Sequence, residues 1–133
     1  MAAPASADAK TVLIEKLMVQ LQVLIQELNK ILQQQDVVVR TEVSRAFVNA
    51  ELFYLTNNDS FKGTCNDIVP RIINSSAAKK IGFVIRPATI SCYDNASQYA
   101  LSGKISNGYS CADSTGFVGT TTKALAGTVC IKN

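Results

Sequence analysis

Apolar residues recur at intervals of three and four along the first third of the chain. Six of them step by 3, 4, 3, 4 and 3 positions, the spacing of the a and d positions of a heptad repeat: Ile14, Leu17, Leu21, Leu24, Leu28 and Ile31. Met18, Ile25 and Leu32 widen this heptad seam into a broad apolar face. The residues between them are mostly Gln, Glu and Lys, which favour helix. The pattern predicts an amphipathic helix over residues 10–39.

The heptad seam is expected to mediate self-association. A wide apolar face along this helix is hard to cover with the remaining hundred or so residues, and exposed patches of that size mark contact surfaces. Leu and Ile occur at both a and d positions, which leaves dimer, trimer and tetramer open. The alternative is that the face forms one flank of a bundle within its own chain.

A second helical stripe follows after the phase changes at residues 33–39. Its apolar positions are Val43, Ala46, Phe47, Ala50, Phe53 and Tyr54, flanked by Leu52 and Leu55. No Pro or Gly interrupts residues 10–57, so one continuous helix is predicted, with any bend at residues 37–39 and an end at the turn-forming residues 57–60. Residues 43–55 are expected to form the core with a sheet, with Phe47 as the most buried aromatic of this helix.

The second half of the chain has shorter apolar runs separated by Gly, Asn, Ser and Thr. A short helix is predicted within residues 67–80, and strands at 81–85, at 88–92 leading into 99–106, at 109–113 and at 127–132. Asn107 and Gly108 form the residue pair typical of a tight hairpin turn. The expected fold class is α+β, a long N-terminal helix packed on a small antiparallel sheet. Three parts are expected: a disordered tail or cloning remnant at 1–9, the heptad helix at 10–39 and a globular domain at 40–133.

Composition removes several classes of function. The net charge is only +3 over 133 residues and forms no basic stripe, so no nucleic-acid partner is predicted. The chain has no histidine, which excludes a Ser-His-Asp triad, a Cys-His dyad and a His-ligated metal. The hydroxyl-rich runs at 114–116 and 120–122 have no base beside them and are predicted to be loops. We expect neither an enzyme nor a bound cofactor.

All four cysteines, Cys65, Cys92, Cys111 and Cys130, lie in the second half of the chain. None is part of a CxxC pair, which disfavours zinc. An even count in a small, loop-rich region favours two disulfides and an oxidising compartment, with free buried thiols as the alternative. Spacing alone leaves three connectivities open.

Several short motifs resemble those of one family. Residues 50–54 (AELFY), followed by residues 57–65 (NNDSFKGTC), are similar to the end of the first helix in type IV pilins and type II secretion pseudopilins. Residues 109–116 (YSCADSTG) resemble the YCVDSTG strand and turn of pilin-like proteins, and residues 91–94 and Cys130 fit the same pattern. The resemblance covers residues 40–133. It implies a pilin-like fold, and we expect the pairing Cys65–Cys92 and Cys111–Cys130, the second being similar to the disulfide-bounded region of pilins.

The resemblance also implies a function. It points to a structural subunit of an extracellular type IV pilus-like filament or secretion pseudopilus, assembling through its N-terminal helix with copies of itself or with other pilin subunits. Where pilins have a nearly unbroken apolar helix, residues 11–35 are interrupted by polar side chains, so the chain as given is expected to have no membrane span. Residues 1–35 are then either natural or an engineered replacement of that helix.

The alternative function is a secreted ligand-binding or adhesin domain carried on a coiled-coil stalk. A helix that continues through residues 37–39 and packs under the sheet favours the filament subunit, whereas a flexible joint there favours the stalk. Asp94 and Asp113 are calcium candidates, because the resemblance extends to pseudopilins that bind calcium with a C-terminal loop. No DxDxDG run is present, and both residues are expected to be turn formers.

Overall fold

The computed structural model describes residues 7–132. They form three α-helices, a 3-10 turn (Pro87–Thr89) and four strands: α1 (Ala7–Thr56), α2 (Thr64–Ile73), α3 (Ser76–Lys80), β1 (Ile90–Asp94), β2 (Tyr99–Ile105), β3 (Gly108–Asp113) and β4 (Val118–Thr121). Neighbouring strands are antiparallel, in the order β1-β2-β3-β4. The predicted α+β class is confirmed: a long N-terminal helix packs on a small antiparallel sheet, a pilin-like architecture.

Helix α1 ends at the predicted turn residues. Asn58 and Asp59 both have φ near +55°, the left-handed region that Asn and Asp tolerate better than other residues with a Cβ. The backbone N–H of Asp59 donates to the carbonyl of Tyr54 at 3.1 Å, which satisfies one of the last carbonyls of the helix. Residues 37–39, where a bend was expected, are helical.

The chain divides between Gln33 and Gln34 into two compact units. The described part of the first is the N-terminal part of α1, and the second, here called the body, holds all described residues from Gln34 onwards. Val38 and Val39 are buried in the body's core, so this core begins before residue 40. Of the tail expected at 1–9, residues 1–6 lie outside the described residues and residues 7–9 belong to α1.

The inner face of the sheet packs against helices. The fully buried positions of α1 are small, namely Val43, Ala46 and Ala50, and they share a cluster with Ile68 and Ile72 of α2 and Leu101 and Ala112 of the sheet. Phe47 is only partly buried at the edge of this cluster. The deeply buried aromatics, Phe61 and Tyr99, come from outside α1.

Close approach of α1 to the sheet depends on a glycine. A Cβ built at Gly103 of β2 would lie 2.7 Å from Cγ1 of Val39, closer than such atoms ever come. At the adjoining hairpin, Asp36 of α1 accepts hydrogen bonds from the backbone N–H (2.9 Å) and the hydroxyl of Ser106. Glycine and aspartate together fix where the helix crosses this end of the sheet.

The outer face of the sheet is covered by the C-terminal segment. Ala100 and Cys111 form a second buried cluster with Leu125 and Cys130, and Phe117 packs at its edge. Consecutive residues of a strand point to opposite faces, so Ala100 and Leu101 of β2 belong to different clusters.

One predicted helix and one predicted strand differ from the structure. The helix expected within 67–80 is two helices, because Ser75 caps α3 by accepting a hydrogen bond from the N–H of Ala78. Residues 81–85 are not a strand. The N–H groups of Gly82 and Phe83 instead bond back to α3, and Gly82 has φ +69°.

The last strand also lies elsewhere. Residues 127–132 form no strand, whereas Val118–Thr121, which overlaps the run 120–122 predicted to be a loop, pairs with β3. The hairpin between β2 and β3 has residues 106–107 as its loop, with Gly108 at φ +140° as the first residue of β3. A side chain at Gly108 would collide with the carbonyl of Thr121.

Candidate functional site

The heptad seam is exposed along its whole length. The six a and d residues, Ile14, Leu17, Leu21, Leu24, Leu28 and Ile31, are each 50–61% exposed. Met18, Ile25 and Leu32, which widen the seam, are exposed as well. The structure therefore places every predicted self-association residue on one helix with its side chain open to solvent.

The apolar surface of this part of α1 extends beyond the predicted seam. Val12, Val19 and Val23 are also exposed, at positions outside the a and d register. Residues 7–33 carry only six charges, three acidic and three basic, which cancel. Such a neutral helix, apolar on more than one side, is typical of a helix surrounded by others.

A second exposed apolar row lies on the body and was not predicted. Val37, Val48, Leu52 and Leu55 are spaced by whole helical turns, and all are more than half exposed. The prediction that residues 43–55 pack on the sheet is thus incorrect for Leu52 and Leu55. We call these four residues the outer row. The helical period shows that Leu52 and Leu55 lie beside an apolar stripe, but it does not show which of two apolar faces a sheet covers.

Both predicted disulfides are present. Cys65 pairs with Cys92 and Cys111 pairs with Cys130. The first bridge ties the start of α2 to β1, and the second ties the C-terminal segment to β3. Two disulfides indicate that the protein folds in an oxidising environment.

The two calcium candidates do not come together. Asp94 pairs with Tyr99 and Asp113 with Ala100, and these partners are adjacent residues of β2 that point to opposite faces. Each carboxylate instead accepts a hydrogen bond from a backbone N–H. Asp94 accepts from the N–H of Cys65 at 2.9 Å, and Asp113 accepts from the N–H of Cys130 at 2.8 Å. Within residues 7–132 there is no cluster of three potential metal ligands.

The body has a wide, open depression of about 440 Å³ along Thr41, Ser44, Arg45, Val48 and Asn49 of α1, and a smaller, more enclosed recess between α1 and α2. The recess has a volume of about 180 Å³, below the range of about 300–1,000 Å³ usual for small-molecule sites. Its one buried charge, the carboxylate of Glu42, is paired with the guanidinium of Arg45 at 3.2 Å. The recess therefore offers little to a free ligand.

Among residues 7–132, no helix has an apolar stretch long enough to cross a membrane. Comparison with known family models, with curated proteins and with solved structures gives no match for this chain. The pilin-like description therefore rests on the architecture and on the sequence motifs.

Proposed function

We propose that the protein is a structural subunit of an extracellular filament of the type IV pilus or pseudopilus kind, which assembles through its N-terminal helix. The observation that carries this proposal is the heptad seam, six large apolar side chains in regular register, all exposed. Exposed apolar patches beyond a few hundred Å² are rare on soluble monomers and mark contact surfaces. The resemblance of residues 40–133 to pilin motifs supplies the class of assembly.

The stalk alternative is less well supported. A stalk requires a joint before the ligand-binding domain, and residues 37–39 are instead helical, with Val38 and Val39 in the same core as the sheet. The recess beside Glu42 is also smaller than most small-molecule binding sites. We therefore favour the structural, non-catalytic role.

The double substitution Leu21→Lys/Leu24→Lys tests the proposal. It places two charges in the seam, so the parent chain should sediment as an oligomer at tens of micromolar and the variant as a monomer. Circular dichroism should show that the disulfide-bonded body of the variant remains folded. The matched control is Gln22→Lys/Gln26→Lys, which adds the same charge at exposed polar positions of the same helix and should leave the oligomer intact.

Two results would contradict the proposal. A parent chain that sediments as a monomer would show that the seam folds back on its own chain. Equal dissociation of both lysine variants would show that added charge, and not the seam, controls association. Electron microscopy of the concentrated parent protein then distinguishes filaments from closed oligomers.

A further inference from the structure

The two disulfides share a local design. In each, a strand cysteine is followed two residues later by an aspartate, Cys92 with Asp94 and Cys111 with Asp113. Each aspartate accepts a hydrogen bond from the backbone N–H of the cysteine bonded to its strand neighbour. The incoming cysteine is therefore held at two points, its sulfur and its amide nitrogen.

Strand geometry explains the arrangement. Residues i and i+2 of a strand point to the same face, so the cysteine and the aspartate project side by side. On the inner face the pair on β1 receives Cys65 from the first turn of α2, and on the outer face the pair on β3 receives Cys130 from the C-terminal segment. The same device thus occurs twice, on opposite faces of one sheet.

The acceptor on β3, Asp113, is held by the turn that follows this strand. Asp113 is fully buried, and its second oxygen accepts hydrogen bonds from the N–H (3.0 Å) and the hydroxyl of Thr115, two residues away. These contacts are local and do not involve the C-terminal segment. In the folded protein these contacts hold the carboxylate with its other oxygen directed at the Cys130 N–H.

We propose that Asp94 and Asp113 are the residues that select the native pairing of the four thiols. In each oxidation the two thiols give up two protons and two electrons to a small-molecule disulfide, which is reduced to two thiols, and one protein S–S bond forms. The hydrogen bond takes no part in this electron transfer, so its proposed role is to hold the correct sulfurs near each other. In either non-native connectivity Cys111 is not bonded to Cys130, so the Cys130 N–H is not held beside Asp113 and this hydrogen bond to a charged group is lost.

The test measures each disulfide separately. The full chain is equilibrated in buffers of reduced and oxidised glutathione, trapped by alkylation and mapped by peptide mass. Asp94→Ala should lower the effective concentration of the Cys65–Cys92 thiols about tenfold to a hundredfold, the range for losing a hydrogen bond to a charged group, and leave Cys111–Cys130 within about threefold. Asp113→Ala should do the reverse.

Two further variants separate positioning from general stabilisation. Asp94→Asn and Asp113→Asn keep an acceptor oxygen and should retain part of the effect, with fewer mispaired species during refolding than the alanine variants. Asp36→Ala is the matched control for the alanine variants, because this carboxylate also accepts a backbone N–H and a hydroxyl but touches no cysteine. It should change neither disulfide by more than about threefold and should produce no mispairing.

The proposal is overturned if both alanine variants weaken both disulfides equally, or if Asp36→Ala produces as much mispairing as they do. Either result would mean that the aspartates only stabilise the fold. Should Asp113→Ala fail to refold, Asp94→Ala, at a partly exposed position, still decides between selective and general loss.

Discussion

The two halves of helix α1 carry apolar residues at the same helical spacing but place them in opposite environments. In residues 7–33 the heptad seam, widened by Met18, consists of Leu, Ile and Met and is exposed, whereas the apolar face that meets the sheet in the body consists of Val38, Val39, Val43, Ala46 and Ala50 and is buried. The buried face is made of small side chains, which let a sheet approach closely. The exposed face is made of the large side chains that interlock between helices.

This contrast teaches that side-chain size, besides period, distinguishes a helix face that meets its own sheet from one that meets another helix. A period of 3.6 predicts only that an apolar face exists. Small residues on that face, opposite a strand glycine such as Gly103, indicate intramolecular packing at short range. Leu and Ile in heptad register indicate an assembly contact. The predictions below test the contrast from the largest expected effect to the smallest.

The same substitution should have different consequences in the two regions. Leu101→Ala removes a fully buried side chain from the body and should lower its free energy of unfolding by about 2–5 kcal/mol, measured by urea denaturation. Leu24→Ala removes the same atoms from a side chain that is 61% exposed, so the unfolding of the body should change by less than about 0.5 kcal/mol.

The second variant should instead weaken association, which sedimentation measures over a range of concentrations. If Leu24→Ala destabilised the body as much as Leu101→Ala does, the seam would pack on its own domain and the contrast between the two regions would be false.

The helix–sheet contact at Gly103 gives a smaller effect. Gly103→Ala forces a methyl group against Val39 and should cost about 1–3 kcal/mol, the usual range for overpacking. Val39→Ala removes the obstructing methyl groups, so the double variant should be more stable than the sum of the two single losses predicts. A denaturation cycle over the four proteins measures this coupling. Simple additivity would show that Gly103 is not the point of closest packing between α1 and the sheet.

Much of the fold follows from local rules, and those parts were predicted correctly. Helix α1 has no breaker before its end, and Asn58 and Asp59 can adopt the left-handed backbone that ends it. The β2–β3 hairpin is marked by Asn107 and Gly108, although its loop is shifted by one residue. Cysteine spacing leaves three connectivities open, and the motif resemblance supported the Cys111–Cys130 pair.

The errors arise where tertiary contacts outweigh local pattern. Residues 127–132 are apolar and strand-like, but the amide of Cys130 is bound by Asp113, which draws the segment over the sheet face instead of along its edge. The edge is then taken by Val118–Thr121, whose Thr and Gly content suggested a loop. No local pattern in the sequence predicts the position of either segment on the sheet.

The candidate site shows the same limit. All six seam residues could be identified from the sequence, because a heptad repeat is a local pattern. The structure shows that all six are exposed. The outer row was missed: Leu52 and Leu55 lie next to the buried stripe in sequence, and only the position of the sheet shows that they face away from it. Likewise, Asp94 and Asp113 were candidate metal ligands until the strand register placed them on opposite faces.

The smallest expected effect concerns the one buried phenol in the core of the body. Tyr99 is fully buried, packs against Phe61 with ring centroids 5.0 Å apart, and its hydroxyl makes no hydrogen bond to any residue in the described range. A buried hydroxyl without a partner is unfavourable, because folding removes its hydrogen bonds to water. Tyr99→Phe keeps the ring and removes that cost, so at neutral pH the variant should be as stable as the parent or more stable by up to about 1 kcal/mol.

The same substitution should change the response to alkaline pH. Burial, together with the nearby carboxylates of Glu51 and Asp113, raises the pKa of Tyr99 above its ordinary value. In the unfolded chain the phenol loses its proton near pH 10, while the folded chain still holds it, so unfolding releases a proton and the free energy of unfolding falls as pH rises above about 10. The Phe variant lacks this contribution, and its other ionisable groups are those of the parent. Denaturant melts of both proteins from pH 7 to pH 11 should therefore give a stability difference that is constant up to about pH 9 and then grows in favour of the variant. A stability difference that stays constant over the whole pH range would mean that the phenol titrates normally and is reached by solvent. The core of the body would then not be closed to solvent, and its contrast with the exposed seam would be false.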